Sequence, residues 1–239
     1  IISVLSFSLN AAPPTSGLVG STKGSFSVSP SGSATYNIPI KLPPNVGGVQ
    51  PNLSLSYDSS AGNGLLGMGW QLAGLSAITR CPTTLERDGF IDGVDFDDND
   101  QWCLDGQRLV NISGNKYHTE IDGFSKIINN NSSGFSVFTA QGLKMTYGHT
   151  SSSIVYAKGR GSQSEALQYA LSKVEDAHGN FYSIEYVNAS YADGEHYPKK
   201  ISMSNGSFVL SSIELEYDDE ERDDVISGYF AGSKYQVTK

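Results

Sequence analysis

An all-β fold is predicted, with many short antiparallel strands in an extended, curved sheet. Three observations predict it. Glycine is abundant and methionine scarce, 26 against three, and the polar residues are largely Ser, Asn and Thr. Apolar residues alternate with polar ones in short runs, the period of a strand. Gly, Asn, Ser or Pro closes each run after a few residues, as turns between strands require. No long amphipathic helical pattern is present. The nearest is "SQSEALQYALSKV" (162–174), read as a helical candidate whose end already reads as strand.

Residues 1–12 are apolar, then small, and lead into Pro13. They read as the tail of a secretory signal peptide cut after Ala11, with a buried N-terminal strand as the alternative. Residues 13–24 read as a flexible lead. Residues 25–239 form the β module, expected to be cut short at its C-terminus, because "GSKYQVTK" is strand-like with no closing element. No run reaches the ~18 apolar residues of a membrane-spanning helix.

The module begins with "SFSV" and "ATYNIPI", joined by "SPSGS" into a predicted hairpin. In "PNLSLSYDSS", Leu53, Leu55 and Tyr57 share one face. The stretch "AGNGLLGMGWQLAG" is too glycine-rich for a helix and too apolar for a solvated loop. It reads as a bent strand corner, with Gly62, Gly64, Gly67 and Gly69 supplying positive φ and Trp70 filling the space they leave. Sugar stacking on Trp70 is the rival reading. Next come "GLSAITRCP", "QRLVNIS", "KYHTEI", "SKIINN", "FSVFTA", "KMTYGHT" and "SIVYAKG". Then "YALSKVE" and "FYSIEYV" flank a turn from Asp176 to Asn180, before "YPKKISMSNG" and "SSIELEYDD".

The net charge of −9 repels phosphate, so a nucleic-acid partner is not expected. Cys81 and Cys103 are too few for a disulfide framework. One bond between them and two half-buried thiols are both open readings.

The stretch from Phe26 to Cys81 resembles the Salmonella virulence plasmid B protein (SpvB) N-terminal domain family, as in Tc toxin B components and RHS/YD-repeat proteins. Three features carry it in order: the "IP" strand, "P-x-L-S-L-x-Y-x-S", and "G-x-G-W-x-L-x-G-L-S-x-I-x-R", which ends at Arg80. "CLDGQRL", with Asp105 and Gly106, matches the next landmark. "LSKVEDAHGNFYSIEYV", with Asp176, Gly179 and Asn180, is close to a YD repeat. The resemblance implies the start of a hollow shell, a non-catalytic wall in a secreted bacterial toxin. The implied partners are downstream shell and toxin segments or a Tc-type C component, and a pore-forming A component. Any toxic activity would lie in a C-terminal segment outside this chain.

Candidate chemistry is sparse. Asp95, Asp97 and Asn99 have the alternate spacing of a calcium loop, but Asp100 stands where glycine is needed and Gly106 where glutamate is needed. A solvated acidic loop is the preferred reading and a loose calcium site the other. Glu214 and Glu216 form a Glu-x-Glu pair, yet they alternate with Ile213, Leu215 and Tyr217 as an outer strand face does. His118, His149, His178 and His196 lack metal-ligand spacing. No catalytic, metal or cofactor site is expected. A carbohydrate-binding β domain, using Trp70 or the tyrosines of "YPKKISM" and "EYVNASY", is the first alternative function. A carboxylate-based glycoside hydrolase is the second.

Overall fold

The computed structural model describes residues 23–156, 165–188, 196–217, 226–230 and 233–237. The expected signal tail, and the lead up to Thr22, lie outside these. The chain divides into two compact units. Among the described residues, the first holds those of 23–42 and 52–74, the second those of 43–51 and from 75 onward.

In the first unit, β1 (Ser25–Val28), β2 (Ala34–Pro39), β3 (Ser54–Asp58) and β6 (Trp70–Ala73) form a four-stranded antiparallel sheet in that order. β4 (Asn63–Gly64) and β5 (Gly67–Met68) make a small hairpin between β3 and β6. The predicted β1–β2 hairpin is present, with Phe26 opposite Tyr36. Tyr36 stands opposite Tyr57, and Tyr57 opposite Trp70. Directly opposed residues share a sheet face, so an aromatic row crosses all four strands. Ile38, Leu55 and Leu72 form an aliphatic row beside it. The alternation of the sequence thus becomes two ladders of cross-strand pairs.

The second unit holds β7 (Ala77–Cys81), β8 (Gln101–Leu104), β9 (Gln107–Ser113), β10 (Lys116–Thr119), β11 (Lys126–Asn129), β12 (Gly134–Phe138), β13 (Lys144–Gly148), β14 (Ile154–Tyr156), β15 (Ala166–Glu175), β16 (Phe181–Asn188), β17 (His196–Ser204) and β18 (Val209–Glu214). These twelve form one antiparallel sheet. A separate hairpin follows, β19 (Ile226–Phe230) with β20 (Ser233–Val237). The only α-helix among the described residues is one turn, α1 (Leu85–Asp88).

The sheet curves until it closes. β7 through β13 pair in succession, and β15 pairs with both β7 and β13, so eight strands form a ring. The ten residues of β15 serve several neighbours. Residues 168–170 pair with β7, and residues 173–175 pair with β16. From there β16, β17 and β18 continue the sheet away from the ring. The helical candidate at 162–174 is therefore corrected: residues 166–175 are strand. Tyr169, Ala170, Leu171 and Val174 are buried there, and the sheet supplies the packing that weak helix propensity cannot override.

Side chains fill the ring. Ile78, Leu109, Ile127, Phe135, Val137 and Tyr147 are buried on its strands. Trp102, Phe135 and Tyr169 pack ring against ring, with centroids 5.2–5.6 Å apart. An eight-stranded ring is just wide enough for such filling.

Candidate functional site

The sequence singles out three groups of residues, at a glycine corner, on strand β7 and at the β15–β16 turn, and a further pair, Asp105–Gly106, in the β8–β9 turn.

The first is the glycine corner of the first unit. Gly69 has φ +74°, and a Cβ there would lie 2.6 Å from the Tyr57 ring and 2.7 Å from the Asp58 carbonyl oxygen. Only glycine fits. Its N–H donates to the Gly62 carbonyl and its carbonyl accepts from Asp58 N–H, which closes the corner. Gly67 also has positive φ, at +101°. Gly62 and Gly64 do not, so the expectation that all four supply positive φ is corrected: these two stand in ordinary extended or turn backbone. Trp70 is half-buried, and its ring meets that of Tyr57 at 5.3 Å between centroids. It is the last member of the aromatic row.

The second group surrounds Arg80, on β7. Its Nε donates to the Ala166 carbonyl at 2.9 Å, and its Nη1 to Asp100 Oδ2 at 2.8 Å. The guanidinium also lies 5.1 Å from the ring centres of Phe96 and Trp102, a cation–π arrangement. Asp100 accepts further hydrogen bonds from the N–H groups of Asp95 and Phe96. The expected solvated acidic loop is thus exposed at Asp95, Asp97 and Asp98 but anchored at Asp100. Arg108 makes a second anchor. It donates to Asp88 and to the Pro82 carbonyl. The Thr84 N–H, followed by Arg108, holds the Asp88 carboxyl below its usual range. Cys81 and Cys103 are bonded across β7 and β8. The segment from Pro82 to Trp102 is therefore closed by a disulfide and two arginine–aspartate pairs.

The acidic residues with calcium-loop spacing do not complete that twelve-residue loop, although three carboxylates come together. Asp92, Asp95 and Asp97 bring carboxylate oxygens within 4.8 Å of one another. Yet Asp95 accepts from the Asp97 N–H and Asp97 from the Asn99 N–H, Asp100 is taken by Arg80, and Gly106 lies in another turn. That turn, Asp105–Gly106, joins β8 to β9 with φ +48° and +82°, the backbone that a two-residue hairpin prefers. The Asp105 carboxylate accepts from the Ser76 hydroxyl at 2.6 Å and from the Ala77 N–H at 3.0 Å. The Ser76 hydroxyl lies 2.9 Å from that of Tyr147, whose pKa burial pushes well above the usual range.

The third group is the β15–β16 turn. Asp176 Oδ1 accepts from the N–H groups of His178 and Asn180, and Oδ2 from the Asn180 side-chain amide at 2.7 Å. Asn180, above all through its side-chain amide, holds the Asp176 carboxyl below its usual range. Gly179 has φ +84°. Gly47 packs on this turn so closely that a Cβ would lie 2.8 Å from Asp176 Oδ2.

The remaining candidates are structural in their contacts. Glu214 stands opposite Lys200 and pairs with it at 2.7 Å. His196 is largely buried, stacks on Tyr186 at 4.5 Å, and bonds through Nε2 to the Ser152 carbonyl. Burial lowers its pKa. Tyr186 donates to the Leu171 carbonyl, and the ring of Tyr197 packs on Tyr217 at 4.4 Å, so these tyrosines are engaged within the fold. Sequence reasoning missed the roles of Asp88, Phe96, Asp100, Trp102, Arg108 and Tyr169. Trp102 carried a signal, because a large ring in a polar run needs a buried partner.

Residues 28–107 match the sequence family described as Salmonella virulence plasmid 65kDa B protein. No curated protein sequence matches the chain. Among solved structures, TcdB2-TccC3 has a similar fold over 98% of this chain, with 16% identity and a TM-score of 0.70. This chain spans 14% of the length of that one. The N-terminal domain of the effector protein SpvB from Salmonella typhimurium strain LT2 is similar over 84% of each chain, with 19% identity and a TM-score of 0.66. A Photorhabdus luminescens Tc holotoxin pore is similar over 98% of this chain and 14% of its own, with 15% identity and a TM-score of 0.68. Residues 28–107 thus match the SpvB family model, and the chain has an all-β fold similar to those of the SpvB N-terminal domain and TcdB2-TccC3.

Proposed function

We propose that the chain is a non-catalytic wall module in the encapsulating shell of a secreted Tc/RHS-type toxin. The observation that carries this reading is the coverage. The fold similarity extends over 98% of this chain but 14% of TcdB2-TccC3, as one panel of a larger wall would. Side chains fill the eight-stranded ring, which supports a role as a building block of the wall. The three-strand extension ends at β18, whose far edge pairs with no strand among the described residues. Val209 and Leu210 are exposed there. Such an edge readily accepts another strand. The partners on this reading are further shell and toxin segments or a Tc-type C component, with a pore-forming A component in the assembly. The Cys81–Cys103 bond supports an exported location, since disulfides persist in oxidising compartments.

A photo-crosslinking amino acid at Leu210 tests this in the secreted assembly. The expected product joins β18 to a strand of a shell or C-component segment, mapped by mass spectrometry. A β18 that crosslinks to no polypeptide under these conditions contradicts the reading.

A further inference from the structure

Phe124 carries two costs that the fold does not offset. Its backbone is left-handed, with φ +55°, a conformation that crowds any residue with a Cβ. Its side chain is 81% exposed. Phe96 is the instructive contrast. It is also left-handed, with φ +71°, but it is 7% exposed and lies beneath Arg80. Strain at Phe96 places a ring in the interior. Strain at Phe124 places a ring in solvent, held there by the Asp122 carboxylate accepting the Phe124 N–H at 2.8 Å.

That ring borders an open recess of about 400 Å³ on the β9–β10–β11 surface, lined also by Ile112, Tyr117, His118, Lys116 and Lys126. Ile112 is 62% exposed. Asp122 stands at the same rim, with its Oδ1 engaged by the Phe124 N–H. Lys116 and Lys126 form no salt bridge among the described residues, although the chain has 25 acidic residues against 16 basic ones. The Lys126 ammonium lies 5.9 Å from the centre of the Phe138 ring. His118 Nδ1 bonds to the Thr119 carbonyl at 2.8 Å. A carbonyl only accepts, so Nδ1 is the donor in that bond. The recess therefore combines apolar walls and two cationic donors with the Asp122 carboxylate at its rim, a composition that can take a small amphipathic anion on its cationic side.

We propose that this recess binds an apolar carboxylate, with a phenyl or short alkyl group against Phe124 and Ile112 and the acid held by Lys116 and Lys126. The same chemistry is offered by a free organic acid and by a peptide whose C-terminal residue is apolar. Left-handed Phe124 is preorganised to meet either.

The test is a nuclear magnetic resonance titration of the whole chain with three probes: 3-phenylpropionate, N-acetyl-diglycyl-phenylalanine with a free carboxylate, and the same peptide as its amide. Saturable shifts at residues 112–126 are expected with at least one acid and not with the amide. Tighter binding of the acid peptide identifies a chain terminus as the source, and tighter binding of 3-phenylpropionate a free acid. Lys116→Gln with Lys126→Gln should weaken binding at least about tenfold, as loss of both charge-assisted hydrogen bonds implies. Phe124→Gly should weaken it similarly while leaving the melting temperature unchanged or higher, since glycine relieves the left-handed strain. Unsaturable or scattered shifts, equal binding of the amide, or variants that bind like the parent chain would overturn the proposal.

Discussion

The Arg80 guanidinium lies 2.8 Å from Asp100, whose side chain is 1% exposed. This pair, 20 residues apart in the chain, holds the end of the intervening excursion against the aromatic core. Arg80 stacks over Trp102, and Trp102 packs on Phe135 and Tyr169. Asp100 in turn accepts two backbone N–H groups of its own loop. Removing either partner leaves a buried group of one sign without its counterpart.

Asp100→Ala is expected to destabilise the second unit by about 3–5 kcal/mol, as breaking a buried ion pair does. Arg80→Met should cost about as much: its aliphatic chain still covers Trp102, but the Asp100 carboxylate, 1% exposed, is left without its cation. Urea denaturation measures both. The disulfide stays closed in each variant, so the loop should become sensitive to protease between residues 83 and 100 before the ring unfolds. An Asp100→Ala protein as stable and as resistant as the parent would show that the loop is held by the disulfide alone.

In the first unit, Gly69→Ala should be far more damaging than Gly62→Ala. At Gly69 the added Cβ meets Tyr57 and the Asp58 carbonyl, whereas at Gly62 it meets open space. A left-handed alanine costs roughly 1–2 kcal/mol before any clash. Gly62→Ala should lie within ~0.5 kcal/mol of the parent. Trp70 is half-buried, so Trp70→Ala should cost about 1–3 kcal/mol, below the ~3–5 of a fully buried ring. Thermal melting of the three variants gives the order. Equal effects at Gly62 and Gly69 would contradict the corner described.

These two regions show what the sequence made legible and what it did not. The strands after Ser25 were readable because apolar alternation and turn residues are local signals. So was the Asp176–Asn180 turn, whose carboxylate, glycine and amide are close neighbours in the chain. The closure of the ring was not readable. It depends on β15 pairing with β7, Tyr169 opposite Ile78, and no local pattern encodes a partner so far back in the chain. The start of the 162–174 candidate read as helix for the same reason: Ala, Leu and Gln favour a helix until long-range pairing decides otherwise. Arg80 was recognisable as a landmark, but its partner Asp100 was hidden among acidic neighbours that face solvent. Positive φ could be assigned to a glycine cluster and not to particular glycines within it.

The His196 ring makes the second unit sensitive to acid. Burial lowers its pKa below the ordinary value, so the folded state prefers the neutral ring. The unfolded chain takes up a proton near pH ~6.5, before the folded chain does. Stability should therefore be steady above pH ~6.5 and fall as pH drops toward ~5.5. His149, lowered by burial and by nearby Lys144, contributes with the same sign. Denaturation of the parent and of His196→Gln between about pH 5.5 and 7.5 checks this. The variant should retain a smaller slope, from His149. An unchanged slope would mean that His196 does not titrate as its burial implies.

The β18 edge should drive self-association of the isolated chain. Val209 and Leu210 are exposed on it, and an uncovered strand invites pairing. Replacing both by lysine should shift the chain toward monomer in light scattering, with little change in melting temperature. Lysines that leave association unaltered would place the contact elsewhere.

The most direct test of the wall-module account is cryo-electron microscopy of the assembly purified from its source cells. The account predicts a further strand hydrogen-bonded along residues 209–214, continuing the sheet into a wall around a cavity. A map with β18 facing solvent, and this chain standing alone as a separate domain outside any enclosure, would contradict it.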